Sequence, residues 1–591
     1  MRKRPGMVSI VLASFLASFL ASFALIWPAA VPAQQAVLEP VEQSFGTAAS
    51  QVATALHGMV ASQEQEATRI GVNILQRGGN AVDAAVAVGF ALAVTAPKAG
   101  NLGGGGFMVV HLADHNENVA IDYRETAPAA TTADVFLGPD QQADPAKSRD
   151  SGLGVGVPGT VAGLNLALER FGSGRFSLAE LVAPAVRLAR DGIIIKDDLY
   201  DSLRLAQQRL ARWPSAARIF LKPDGSAPAI GDRLVQPELA EVLETIGREG
   251  PRAFYIGPVA DKIVASVREA GGLITRGDLE NYVPVVRNPV YGTYRGYEIV
   301  SMPPPSSGGI HLVEMLNILE GYPSAAVGNG SPAALHLQLE TMKLAYADRA
   351  QYLGDSDAVD VPQERLTSKD HAAELRRRID PQRARPSREI RPDIVVPSGG
   401  GNTTHFSVVD DAGNVVANTY TLNFSYGLGL VAEGTGILLN NELDDFAAKP
   451  GAPNAFGLVG GSANAPGPGK RPLSSMTPTI VFRDTKPVLV TGAPGGSRII
   501  TTVLQVIVNT IDGHMTIGNA VAGLRVHHQW LPDEVVVERG FPGDKIRALT
   551  AMGHKVRMGS MFGSAHSIVV APDGRTGAAD LRARGAAAAG Y

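Results

Sequence analysis

Residues 404–423 constrain this chain more tightly than any other segment. Thr404 to Asp410 alternates in strand fashion, Asp411-Ala412-Gly413 makes a turn, and Val415 to Asn423 alternates again. A three-residue loop with glycine in the left-handed position closes such a hairpin. With 411–413 as the loop, residue 410 pairs with 414, and counting outward sets Thr403 opposite Thr421. Asn423 then points to the same sheet face as Thr421, because strand side chains repeat every two residues. A slip of one residue would turn the whole set away. The turn alone therefore predicts a hydroxyl and an amide converging on Thr403.

Thr403 follows Ser398-Gly399-Gly400-Gly401-Asn402. A threonine hydroxyl is a weak nucleophile until a base takes its proton, and a cut just before the residue turns its own α-amine into that base. An α-amine titrates at about 7.7–8.0, so it accepts a proton at neutral pH where a lysine mostly does not. The glycine segment lets the backbone bend for Thr403 to attack the Asn402 carbonyl. Taken alone, Asn-Thr-Thr also describes a plain turn entering a strand.

A chain of 591 residues exceeds one ordinary core, and its length suggests several domains. Apolar residues at 45% and charged residues at 19% describe a globular protein, and a net charge of −4 offers no field for nucleic acid. Arg2, Lys3 and Arg4 precede an uncharged run from Met7 to Trp27 and a Val31-Pro32-Ala33 exit. This is the pattern of a secretory signal over residues 1–33, cut after Ala33. The run is also long enough to span a bilayer, but Ser9, Ser14, Ser18 and Ser22 within it favour cleavage. There is no cysteine, which excludes disulfides, a thiol nucleophile and thiolate metal sites. None of the twelve histidines has local metal-ligand spacing, and His527-His528 is adjacent rather than one helical turn apart. No metal or organic cofactor is expected.

Glu64 to Arg77 and Ala81 to Val94 read as helices, the second capped by Asn80. Val109 to Tyr123 reads as a strand pair. Residues 158–380 read mainly as amphipathic helix, with Ala333 to Arg349 the clearest case. In Leu178 to Arg190, Pro184 is expected to kink or divide the helix. Gly495-Gly496 lead into an apolar helix from about Ile499 to Ile511, placing N–H groups at a cleft. Gly154 to Gly159 matches a dinucleotide fingerprint formally, but no strand enters it.

The blocks Thr403-Thr-His-Phe-Ser-Val-Val-Asp410, Gly436-Ile-Leu-Leu-Asn-Asn-Glu-Leu-Asp-Asp-Phe446, Lys470-Arg-Pro-Leu-Ser-Ser-Met-Thr-Pro-Thr479 and Gly492-Ala-Pro-Gly-Gly-Ser-Arg498 resemble the γ-glutamyltransferase family, most closely its bacterial periplasmic members. Gly100-Asn-Leu-Gly-Gly-Gly-Gly-Phe107, Asp122-Tyr-Arg-Glu125 and Ser301-Met-Pro-Pro-Pro-Ser-Ser-Gly-Gly309 fit the same family in order. The resemblance implies an α+β fold, the four-layer αββα sandwich of N-terminal-nucleophile hydrolases. Two subunits cut from one precursor, residues 34–402 and 403–591, would build it jointly as a heterodimer. It further implies Thr403 as nucleophile, Thr421 as its orienting hydroxyl, and Gly495 and Gly496 as oxyanion donors. Arg124, Ser474 and Ser475 would take a substrate α-carboxylate, and Asn423, Glu442 and Asp445 its α-ammonium. The implied substrates are glutathione and related γ-glutamyl compounds, with water, amino acids or dipeptides as acceptors.

Three departures stand out. Phe456 occupies a lid loop, Pro450 to Gly461, where a tyrosine is familiar in bacterial members. Glu442 stands where a bacterial glutamine is familiar, and Asp580-Leu-Arg582 replaces Asp-Pro-Arg. The rival readings are an acylase acting on glutaryl or cephalosporin side chains, a poly-γ-glutamate depolymerase, and a non-catalytic secreted binding protein.

Overall fold

The computed structural model describes residues 49–390 and 403–591. The signal segment, Asn402 and the glycine run before it lie outside the described residues. Two seven-stranded sheets form the centre. The first runs, in spatial order, Ser50–Ala55, Gly574–Asp580, His566–Ala571, Lys486–Thr491, Thr479–Arg483, Tyr297–Ser301, Val290–Tyr294. The second runs Ala587–Gly590, Met59–Ser62, Thr403–Val409, Val415–Thr421, Gly105–Leu112, Glu117–Tyr123, Val285–Arg287. All pairings within these two sheets are antiparallel. Both sheets combine strands from before and after Thr403.

Three apolar layers fill the gaps in this stack. Between the sheets, Met59, Phe107, Val109, Val415 and Ala417 of the second meet Val300, Ile480, Val490 and Ile568 of the first. The outward residues of the second sheet, Val60, Met108, Val110, Phe406, Val408 and Val416, pack under helices Gln65–Gln76, Ala81–Thr95 and Thr160–Phe171. Those of the first, Val290, Ile299, Val481 and Leu489, pack under helices Gly308–Glu320, Pro332–Tyr352 and Arg498–Ile511. The alternation that keeps Phe406 and Val408 outward keeps Thr403, His405 and Ser407 inward. Length pointed to several domains. Stacking four layers instead lets residues Glu39–Tyr591 group as one unit.

Local expectations held in most places. Asn80 accepts from the N–H groups of Val82 and Asp83, and Asp83 returns a bond to the Asn80 N–H, completing a capping box. Pro184 does not divide its helix, which is continuous over Leu178–Asp191. Pro332–Tyr352 is not amphipathic, since Ala334 to Ala350 is buried on every side. It lies beneath further elements rather than at the surface, so no face is left to be polar. The strands within 285–301 were unread: each is three to five residues long, too short for periodicity to declare.

Candidate active site

The hairpin has the register the turn dictates, with Thr403 opposite Thr421. Their hydroxyl oxygens are 3.5 Å apart, and Thr421 Oγ1 also accepts from the Asn423 N–H at 2.8 Å. Asn423 has a left-handed backbone (φ 75°), which asparagine tolerates better than most residues. Its Nδ2 donates to the Asn441 carbonyl at 2.8 Å, leaving buried Oδ1 with no hydrogen-bond partner. The Thr421 carbonyl is held by Asn101 Nδ2 at 2.9 Å. Gly104 makes this approach possible, because a Cβ there would lie 2.1 Å from the same carbonyl.

His405 stands two residues from Thr403 on the same face, yet both ring nitrogens are engaged, by Thr419 Oγ1 at 2.8 Å and Ser407 Oγ at 3.1 Å. Burial between the sheets holds its pKa well below the ordinary histidine value, so it stays neutral. It packs the inner face rather than serving as a base.

The other end of the pocket is built on Arg124, wholly buried at the end of strand Glu117–Tyr123. Its Nε donates to the Pro472 carbonyl at 3.1 Å, one terminal nitrogen to Glu442 Oε1, and the other to Asp445 Oδ2 at 2.6 Å. Glu125 lies 3.8 Å away. Arg124 and Glu125 do not form a surface pair, because neither side chain has any exposure. Burial opposes the guanidinium charge, but Glu442, Asp445 and Glu125 outweigh it and hold its pKa above the ordinary value. Burial raises the pKa values of Glu442 and Asp445, with Arg124 pulling the other way, and pushes Glu125 up to about 8.

Ser474 and Ser475 form the wall beside this cluster. The Ser474 carbonyl accepts from the N–H and hydroxyl of Ser307, at 2.9 and 2.7 Å. Buried Arg349 reaches Ser307 Oγ at 3.0 Å and Ser475 Oγ at 3.4 Å. Sequence reading missed Arg349 and Ser307, which come from separate helical regions. Gly495 (φ 133°) and Gly496 (φ 57°) form the turn before helix Arg498–Ile511. A Cβ on Gly496 would lie 2.3 Å from the Phe456 ring, so the lid aromatic rests directly on this turn.

One cavity is lined by Arg124, Thr403, Thr421, Asn423, Glu442, Asp445, Phe456, Ser474, Ser475 and Gly496, joined by Met476 and Ile499. Gly495 is outside that lining, one peptide away. The unread apolar pair, Met476 and Ile499, follows directly from motifs that were read. Chemically, the cavity pairs the Thr403 hydroxyl with one guanidinium and two carboxylates, a set complementary to a small zwitterion carrying an acyl group.

The γ-glutamyltranspeptidase family profile matches residues 67–590. The chain is 53% identical over 539 residues to the glutathione hydrolase proenzyme of Escherichia coli K12, spanning 91% of this chain and 92% of that one. The crystal structure of a cephalosporin acylase from Bacillus halodurans aligns with a TM-score of 0.80 and 27% identity, over 94% of this chain and 99% of that one. Helicobacter pylori γ-glutamyltranspeptidase aligns with a TM-score of 0.55 and 41% identity, over 60% of this chain and 97% of that one. These neighbours share the N-terminal-nucleophile hydrolase fold, and the four-layer sandwich described above is that fold.

Proposed function

Because the chain belongs to the γ-glutamyltranspeptidase family, we propose that Thr403 becomes an N-terminal nucleophile through cleavage of the Asn402–Thr403 bond. The protein is an autoprocessed γ-glutamyl hydrolase and transferase acting on glutathione-type substrates. The fragments 34–402 and 403–591 remain together as a heterodimer, a reading supported by strands of both fragments pairing within each sheet.

In the mature enzyme the Thr403 α-amine takes the hydroxyl proton as Oγ1 attacks the γ-carbonyl. The negative oxygen of the tetrahedral intermediate is received by N–H groups at Gly495 and Gly496. Collapse expels the amine of the leaving group, which takes the proton, and leaves a γ-glutamyl ester on Thr403. Water then releases glutamate, or the amine of an amino acid or dipeptide takes the γ-glutamyl group. Arg124, with Ser474 and Ser475, receives the substrate α-carboxylate. Asn423, Glu442 and Asp445 receive its α-ammonium.

The observation that carries this assignment is the placement of Glu442 and Asp445 directly on Arg124. These groups neutralise one another, and a glutamyl α-carbon brings the opposite partner for each. A glutaryl side chain carries no α-ammonium, so an acylase acting on glutaryl groups has no need for this pocket. Export to the periplasm or outside the cell follows from the residue 1–33 signal, which lies beyond the described residues. Among those described, no helix is long and apolar enough to cross a membrane.

The test is a denaturing gel of wild type and Thr403→Ala, with N-terminal sequencing of the smaller band. Wild type should give two bands, the smaller beginning at Thr403, and the variant one inactive band. An active wild type that stays uncut, or a variant that is processed normally, overturns the proposal.

A further inference from the structure

Two groups of histidines and carboxylates lie buried in the helices behind the first sheet, outside the cavity lining. In one, His336 Nδ1 meets His554 Nε2 at 2.8 Å and His336 Nε2 meets the Asp380 carbonyl at 2.7 Å. There Glu340 accepts from Lys343 Nζ at 2.7 Å and from the Arg385 N–H at 3.2 Å. That group is satisfied, and Lys343 already supplies its cation.

The second group is different. Glu314 on helix Gly308–Glu320, Asp348 on helix Pro332–Tyr352 and His371 on helix Lys369–Arg376 converge, with their ligating atoms all within 4.8 Å of one another. His371 Nε2 lies 2.8 Å from Asp348 Oδ2 and 3.6 Å from Glu314 Oε1. Glu314 is wholly buried, and neither carboxylate oxygen has a hydrogen-bond partner. His311, one helical turn earlier, is also wholly buried, with its Nδ1 3.4 Å from Glu314 Oε2 and neither ring nitrogen hydrogen-bonded. A buried polar group left without a partner is destabilising, because the hydration it lost is not replaced, and more so when it is charged. Here two such side chains face each other.

We propose that Glu314, Asp348 and His371 hold one structural divalent ion of the zinc class, with His311 as the fourth ligand. Mixed carboxylate and imidazole donors suit zinc and its neighbours rather than calcium or magnesium. Ligands about 2.0–2.2 Å from a tetrahedral zinc sit roughly 3.3–3.6 Å from one another. His371 lies 2.8 Å from Asp348 and 3.6 Å from Glu314, and His311 lies 3.4 Å from Glu314, separations that bracket that range. Metal binding requires a free lone pair on each ligating imidazole nitrogen, so the ion takes the place of any proton on His371 Nε2, which leaves to solvent.

The consequence reaches the active site through helix Pro332–Tyr352. Asp348 is followed by Arg349, which contacts Ser307 and Ser475, and one turn back Tyr346 donates to the Ser497 carbonyl. An ion fixing Asp348 braces the helix that supports the serine wall. Sequence spacing did not reveal it because the ligands come from three helices.

The experiment loads the metal during folding, since the site is buried. Full-length protein is expressed with zinc or with cobalt in the medium, matured, desalted and assayed for metal by mass spectrometry. Wild type should retain about one ion per chain pair, cobalt should give ligand-field bands of a nitrogen–oxygen site, and chelator present during refolding should lower Tm. Glu314→Gln and His371→Gln should each lower retained metal at least tenfold. Wild type without stoichiometric metal, and with a Tm indifferent to zinc during refolding, overturns the proposal whether or not the variants fold. So does a Glu314→Gln protein that keeps its ion, because the metal then sits elsewhere.

Discussion

The two ends of the cavity are built on opposite principles. Around Thr403 there are hydroxyls, amides and a glycine turn, with no charged side chain among the described residues hydrogen-bonded to the Thr403 hydroxyl and the neighbouring His405 held neutral. Around Arg124, three carboxylates crowd one guanidinium with almost no water. In the proposed reaction the neutral end would obtain its reactivity from backbone: a new α-amine and preorganised N–H dipoles, which need no counter-ion. In the same proposal the charged end serves recognition, where buried charges are costly unless paired.

The sharpest way to break this contrast is at the neutral end. Gly496→Ala forces a side chain into a left-handed conformation (φ 57°) and onto the Phe456 ring at 2.3 Å. The proposed donor should move, lowering kcat roughly 100- to 1,000-fold, the usual cost of one oxyanion donor. KM should change far less. A steady-state assay with a γ-glutamyl anilide decides it, and a KM effect with intact kcat would place recognition, not catalysis, at this turn.

At the charged end the split should reverse. Arg124→Lys replaces a two-point grip by a point charge, and Glu442 or Asp445 loses its partner. Charge-assisted bonds contribute about 1.5–3 kcal/mol, so KM should rise roughly 10- to 100-fold with normal processing. Unchanged KM in fully matured protein would remove Arg124 from recognition.

The two ends were unequally legible in sequence. The neutral end was readable because a turn and an alternation fix its register locally, so Thr403, Thr421 and Asn423 followed from counting. The charged end came from resemblance to a family, and its physics did not. Nothing around residue 124 announces that Arg124 and Glu125 are both sealed in, or that Arg349, far along the chain, supports Ser475. The fold shows the same divide: capped helices and the long hairpin were evident, whereas strands 285–301 and the burial of helix Pro332–Tyr352 depend on what packs above them.

Glu125 sharpens the contrast through pH. Burial pushes its pKa up to about 8, against about 4.3 for an exposed glutamate. Between those values the folded state holds a proton that the unfolded state has released, so stability falls as pH rises through this window. Glu125→Gln should remove that proton uptake and flatten the decline. Thermal unfolding of both proteins from about pH 5 to about pH 8.5 tests it, and parallel curves would mean that Arg124 keeps Glu125 ionised throughout.

The smallest effect is expected where the two ends touch. Asn454 Nδ2 donates to Asp445 Oδ1 at 2.9 Å, while Asn454 Oδ1 accepts from the Phe456 N–H at 3.0 Å. The Phe456 ring in turn rests on Gly496, and its carbonyl accepts from Gln529 Nε2 at 3.1 Å. The proposed lid is thus tied to Asp445 at its base and to the Gly495-Gly496 turn at its tip. Phe456→Tyr keeps the ring and adds a hydroxyl able to seal the pocket. One such bond contributes about 0.5–1.5 kcal/mol, enough to change lid closure several-fold. Because both anchors are backbone or Asn454 contacts that the substitution leaves in place, formation of the acyl-enzyme should stay within a few-fold. Its fate should change, with less access for water and bulky acceptors behind a tighter lid. Partitioning of the acyl-enzyme between water and glycylglycine, measured in both proteins, gives the answer. Equal partition ratios would show that access is governed from the Asp445–Asn454 anchor rather than from the aromatic tip.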